Sequence, residues 1–238
     1  MVHTFDNYRQ YPAISNSDLS EFRDFIFAKK RFKPFKAFAF GSALHEHLLE
    51  PHKPHFIPDT VDKDLILHIS NKVRENKFCK WVLQFSRKEQ GFLFEDENTK
   101  LPCKAKIDMV LKQNLIVDFK TTSQPNEAAF LKSCIEYEYD RQAAFYSDAI
   151  RNFQKNPLSH QIGGQSNRCY REVKFIFVGI QKKAPYDIFI FDASTEKGFI
   201  GYGRKKYQSL LKTWQEMGGI ESGFTPSTWN RNLLQNVA

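Results

Sequence analysis

The hydrophobic and polar positions of the chain change their period partway along it. Up to about residue 88 the apolar residues recur every three or four positions. In "SNSDLSEFRDFIFAKK", Leu19, Phe22, Phe25 and Ile26 keep helical spacing behind Ser, Asn and Asp cap candidates. A Pro/Lys/Phe-rich link, "RFKPFKAF", leads to a second helix, "GSALHEHLLE", stopped by Pro51. "VDKDLILHISNKVRENKFCKWVLQF" predicts one or two helices more. The period then drops. "GFLFEDENTKLPCKAKIDMVLKQNLIVDFKTT" predicts three strands, about 90–95, 103–110 and 115–120, joined by the short polar loops "DENTK" and "LKQN". Helical spacing returns near 127–135, with Asn126 as a cap, and over about 139–153. Residues 154–171 are polar, carry Gly163–Gly164 and read as a mobile loop. Strands "EVKFIFVGI" and "YDIFIFD" and a helix from about 194 to 217 complete the pattern.

This order predicts an α/β fold with a central mixed sheet flanked by helices. A single domain spans 1–238, with a helical part to about 88, a sheet-containing core over about 89–217 and a tail at 218–238. There is no internal repeat and no low-complexity segment. The 238 residues suffice for one large core, and 41% hydrophobic with 26% charged residues excludes a disordered tail. Most of the 23 Phe rings belong to that core, with a few left as stacking surfaces.

Charge adds a partner class. The net charge of +8, from 35 basic and 27 acidic residues, favours a polyanion, either nucleic acid or an anionic membrane. "MVHTFDNYRQYP" has no apolar leader, and no window approaches the ~18 apolar residues of a membrane span. The expectation is a cytoplasmic protein that does not enter membranes. Cys79, Cys103, Cys134 and Cys169 are scattered with no CxxC pair, which points to reduced thiols and away from disulfides, a zinc ribbon or an iron–sulfur cluster.

The candidate chemistry lies in "IVDFKTT", residues 116–122. Alternation along a strand puts Ile116, Asp118 and Lys120 on one face, with Val117 and Phe119 on the other. Asp118 and Lys120 then stand about 6–7 Å apart. In the preceding strand Lys104, Lys106 and Asp108 share a face, with Ala105, Ile107 and Met109 opposite. If the two strands form a hairpin, Asp108 and Asp118 converge at one sheet end. A D-x-K on an exposed strand is ordinarily a surface ion pair of about 0–1 kcal/mol. Here the apolar flanks make the strand central, and a buried carboxylate needs a partner or a metal. Two carboxylates make an oxygen-rich site suited to Mg²⁺ or Mn²⁺. Lys120 beside them would orient or deprotonate a water, or stabilise a charged transition state.

Three further segments bear on this site. In "GSALHEHLLEP", Gly41, Leu44, His45, Leu48 and Leu49 lie near one helix face, so His45 points inward and His47 toward water. Alone, His45 would read as a core histidine; beside two aspartates it is a third ligand. His47, His52 and His55 cluster in sequence without the Cys or spaced His pair a zinc site needs. In "RQAAFY", Gln142 and Tyr146 are four apart and adjacent on a helix; by themselves they would read as a solvent-facing amide and a packed ring. Glu89 and Glu95, upstream of the first Asp strand, read as solvated charges, either of which would be a further acid if it joined the site.

"IDMV" followed by "IVDFKTT" resembles the PD-(D/E)xK nuclease signature, with Asp108 as the first acid, Asp118-Phe119-Lys120 as the D-x-K, and Ile107 where a proline often stands. The order His45, Asp108, Asp118-x-Lys120, Gln142-x-x-x-Tyr146 is similar to the RecE-like (exodeoxyribonuclease VIII-like) phage and prophage exonucleases, over roughly residues 14–150. The resemblance implies Mg²⁺, with Mn²⁺ as a substitute, held by His45, Asp108, Asp118 and the Phe119 carbonyl. It implies Lys120 as catalytic and Gln142 and Tyr146 as DNA contacts. Arg141, Lys182 and Lys183 would add phosphate contacts that do not read sequence. It also implies 5′→3′ digestion of double-stranded DNA from its ends, leaving 3′ overhangs. A RecT-like single-strand annealing protein would be the partner, in a ring-forming homo-oligomer (trimer or tetramer), in a bacterial or phage-infected cell. The rival readings are a RecB-like, Cas4-like or AddB-like nuclease of other polarity, a structure-specific endonuclease, or a non-catalytic DNA-binding module.

Overall fold

The structure, a computed structural model, describes residues 8, 11–29, 35–53, 57–155 and 171–229. Four helices come first: α1 (Asn16–Ile26), α2 (Phe35–Leu49), α3 (Lys63–Glu75) and α4 (Lys77–Phe85). Three strands follow, β1 (Arg87–Glu95), β2 (Pro102–Leu111) and β3 (Leu115–Thr122). Then come α5 (Glu127–Glu136), α6 (Tyr139–Lys155), β4 (Lys174–Gln181), β5 (Ile188–Asp192) and α7 (Phe199–Glu216).

Local chemistry explains most of these boundaries. Ser15 and Asp18 form a reciprocal capping box at the start of α1. Asn76 is extended, and its side chain accepts the Cys79 N–H, so α3 stops and α4 starts there. Asn126 caps α5 as expected. Two boundaries differ from the sequence reading. α2 begins at Phe35 rather than near 41, and Phe40 joins Ala43, Leu44 and Leu48 in one buried stripe. α7 begins at Phe199 rather than 194. Ser194 and Thr195 bond Asp192 and the Phe175 N–H, and Gly198 turns the chain at φ +80. The 154–171 segment overlaps the end of α6, and residues 156–170 with their Gly pair and Cys169 lie outside the described residues. Of the stretch expected as a tail, 218–238, the described residues 218–229 pack on the domain: Phe224 sits against Phe22 and Trp214, and Trp229 bonds Asp18.

The five strands form one mixed sheet in the order β1-β2-β3-β4-β5. β3 and β4 are parallel, joined by the α5–α6 crossover, and the other neighbours are antiparallel. Ile107, Ile116, Phe175 and Phe177 pack on α1, α6 and α7. Val117, Phe119, Val178 and Ile180 pack on α2, α3 and α4. Asp118 therefore faces the α6 side, as the alternation predicts.

β2 departs from that alternation. Ala105 and Ile107 join the α6-side core, but Met109 and Leu111 join the α2-side core. The expectation that Ala105, Ile107 and Met109 share a face is thus corrected. The switch falls at Asp108. Opposite it, Glu89 takes φ +55 and drops out of a ladder that pairs Lys88 with Met109 and Gln90 with Ile107. On the other side, the β2–β3 register ends at Met109–Val117, one step before Asp108 and Asp118 would meet. The strands break step on both sides of Asp108, and a cleft opens there. α2 closes over it with Gly41 against the end of β3, where a Cβ would come within 3.2 Å of Thr121 Oγ1 and crowd it.

Candidate active site

One helical turn beyond Gly41, His45 reaches the sheet end, where its Nε2 lies 2.8 Å from Asp108 Oδ2. Glu89 approaches from β1 and pairs with Lys106 on β2. His45, Glu89 and Asp108 each offer a ligand atom, and these atoms lie within 4.8 Å of one another. Asp118 and Lys120 stand beside them, with Lys120 Nζ 2.7 Å from Asp118 Oδ1. From α6, Gln142 Nε2 donates to Asp118 Oδ2 at 2.7 Å, and Tyr146 hydrogen-bonds the Gln142 side chain. A cleft of about 680 Å³ opens over the group, lined by His45, Glu89, Lys106, Asp108, Lys120 and Tyr139. Asp118, only 2% exposed, lies beneath it.

The electrostatics follow from this packing. Burial pushes Asp118 up to about 6, with the Asp108 charge adding to it and Lys120 opposing. Asp108 is held low: burial disfavours its charge, but the His45 hydrogen bond and the His45, Lys120 and Lys106 charges outweigh that. His45 is raised, since Asp108, Asp118 and Glu89 overcome the burial penalty. Burial likewise works against the Lys120 ammonium, but the Asp118 charge more than offsets it and keeps Lys120 protonated. The ammonium also lies 4.8 Å from the centroid of the Tyr139 ring.

The donor set suits a hard divalent cation, since one imidazole nitrogen and two carboxylates make a mixed N/O site like those of Mg²⁺ and Mn²⁺ enzymes. Asp118 is not one of these three; its two oxygens meet Lys120 and Gln142. Phe119 lines the cleft on the stretch where β3 has left the β2 ladder.

Glu89 corrects the reading of it as a solvated charge. The β1–β2 register through "DENTK" puts it opposite Asp108, a relation that counting along the hairpin would have found. Glu95 is exposed near Lys100, as expected. Arg141 is also corrected. It is 2% exposed, donates to the Asn16 carbonyl and Ser20 Oγ, and pairs with Glu138, so it braces α1 against α6 and cannot reach a nucleic acid. Lys182 is half-buried at the end of β4, where its N–H bonds the Thr122 carbonyl; Lys183 beside it is exposed, and neither lines the cleft. Among the described residues His47 and His52 join no group of potential ligands, and His55 lies outside those residues. No helix among them is long and apolar enough to cross a membrane.

Residues 17–222 match the family described as "PDDEXK-like domain of unknown function (DUF3799)". A solved structure from Eubacterium rectale, described as a "Putative exonuclease", superposes with a TM-score of 0.62 at 14% identity, covering 100% of this chain and 94% of its own. The structure of SSO0001 covers 90% of this chain and 96% of its own at 11% identity, with a TM-score of 0.34, too loose an overlap to bear on the fold. No curated protein matches the sequence.

Proposed function

The chain belongs to this PDDEXK-like family, and from that premise we propose that it is a metal-dependent deoxyribonuclease. One observation carries the reading: His45, Glu89 and Asp108 converge within 4.8 Å in the cleft that also holds Lys120. A surface salt bridge would need neither the imidazole nor the third acid.

Unaided phosphodiester hydrolysis is so slow that a nuclease must remove a barrier of roughly 20 kcal/mol. A divalent cation bound by these ligands supplies Lewis-acid polarisation and a water of lowered pKa. Lys120, kept charged by Asp118, acts as a fixed cation that orients water and balances negative charge developing on the phosphate. Asp118, clamped by Gln142, fixes the position of Lys120. Lys106, shared with Glu89, supports a second phosphate contact at the cleft wall.

The finer reading is a 5′→3′ exonuclease on double-stranded DNA ends that works with a single-strand annealing protein. It is supported by the resemblance of the His45–Tyr146 motif order to RecE-like enzymes. The test uses linear duplex labelled at either 5′ or 3′ end, and closed circles, each with Mg²⁺, Mn²⁺ or EDTA. Loss of 5′ label from linear DNA while circles survive is expected. Cut circles make it an endonuclease, and absence of metal-dependent cleavage overturns the nuclease reading.

A further inference from the structure

Phe38 is the large apolar residue of the cleft wall whose placement the metal group does not explain. Its neighbours on α2, Phe40 and Leu44, are 8% and 1% exposed, while Phe38 is 67% exposed. It lies seven residues, or about 10 Å of helix, before His45. It lines the same cleft as His45, Lys106 and Lys120. Among the described residues no ring contact covers Phe38, and leaving a phenyl ring in water is unfavourable. Across the cleft the Tyr139 ring is already covered, by Phe177 at 5.4 Å and by the Lys120 ammonium. Among the described residues lining the cleft, Phe38 therefore offers the exposed aromatic face.

Resting on the nuclease reading, we propose that Phe38 stacks on an unpaired nucleobase next to the scissile phosphate and so selects DNA ends that carry unpaired nucleotides. With the divalent cation of the proposed function bound by His45, Glu89 and Asp108, a ligand matching this cleft needs an anionic backbone for that cation and a flat apolar group for the ring, and a nucleotide has both. Base–aromatic stacking is tolerant of sequence, because every base has a π-face. Bases inside a duplex have both faces covered by their neighbours. A splayed or single-stranded base has one to give, and it is this state that Phe38 favours. Phe38 is thus a substrate-positioning residue, and it acts on the base and not on the reacting phosphate.

The test measures Mg²⁺-dependent cleavage of duplexes with blunt ends, with frayed ends, and with frayed ends whose bases beside the first cut are replaced by abasic sites. Wild type is expected to prefer the frayed end. Phe38→Ala is expected to lose about tenfold in kcat/KM on it. On the abasic substrate wild type and Phe38→Ala should cut equally, and Phe38→Trp should restore the frayed-end rate. Tyr202→Ala, which removes a ring 64% exposed but remote from the cleft lining, is the control and should change nothing. An equal loss on normal and abasic substrates, or no loss, overturns the proposal. A separate readout covers failure of the nuclease reading: quenching of a 2-aminopurine placed at the end of a single-stranded oligonucleotide, measured with Ca²⁺. Quenching by wild type but not by Phe38→Ala supports stacking even if no DNA is cut, and no quenching by wild type overturns it.

Discussion

Gln142 on α6 donates to Asp118 on β3 at 2.7 Å, and so ties the helix of the crossover to the acid beneath the cleft. Asp118 carries Lys120 on its other oxygen, and Tyr146 bonds Gln142 from behind. The four residues form one chain of contacts from the core to the cleft floor. The Gln-x-x-x-Tyr spacing then has a structural meaning: the amide orients the acid, and the phenol orients the amide.

Gln142→Ala should therefore act through Asp118. Partners that orient a site's ligands are typically worth 10–100-fold, and a loss of that size in kcat is expected, with little change in thermal stability. Tyr146→Phe should cost less, since it removes only the bond to the amide. Steady-state cleavage of labelled duplex checks both.

Glu89→Gln should weaken binding of Mn²⁺ by about 10–100-fold, because it removes one of three converging ligands. It also leaves Lys106 without its carboxylate. Glu95→Gln, on the same strand but exposed, should bind metal as wild type does. Calorimetric titration separates the two.

Asp108→Ala and Asp118→Ala should both abolish metal-dependent cutting with the fold retained by circular dichroism. They should differ in metal binding. Asp108→Ala removes a ligand, and Asp118→Ala removes the partner of Lys120 and Gln142 while His45, Glu89 and Asp108 remain. Normal cutting by Asp118→Ala would refute the assignment of the site.

Arg141→Ala should lower stability by about 1–3 kcal/mol, since it leaves Glu138 and the Ser20 and Asn16 acceptors short of a buried donor. DNA affinity of the folded protein should be unchanged. Urea unfolding and a binding titration on the same preparation decide it.

Asp148 accepts from Arg204 and Tyr207 on α7 and pairs with Arg151. Burial works against its charge, but these partners hold it below the usual carboxylate range. A carboxylate depressed in the folded state adds stability that is complete above the unfolded value near 4 and is lost as pH falls through the folded value. Melting temperature should accordingly drop on acidification below about pH 4, and Asp148→Asn should lower it at neutral pH and flatten that acid limb.

Much of this site was readable before folding. Val117 and Phe119 against Ile116 and Asp118 show a strand by period alone, and burial of one face enforces that alternation. Asp108, Asp118, Lys120 and His45 could be selected because charged residues inside apolar runs are costly unless they have work to do. Glu89, Arg141 and Met109 could not be placed this way. Whether Glu89 is solvated depends on a register carried across a hairpin, and whether Met109 shares a face with Ile107 depends on a break at Asp108. Arg141 is one residue from Gln142, yet the turn of α6 sends one side chain to Glu138 and Ser20 and the other to Asp118.

The chain's own order of residues was enough to specify helices, strands and the kinds of chemistry available, because those follow from spacing and local burial over a few residues. Which charges share a cleft, which are sealed beneath it and which brace a helix emerged only on folding. Those partnerships join β1, β2, β3, α2 and α6, and their free energy depends on distances and burial that no local pattern carries.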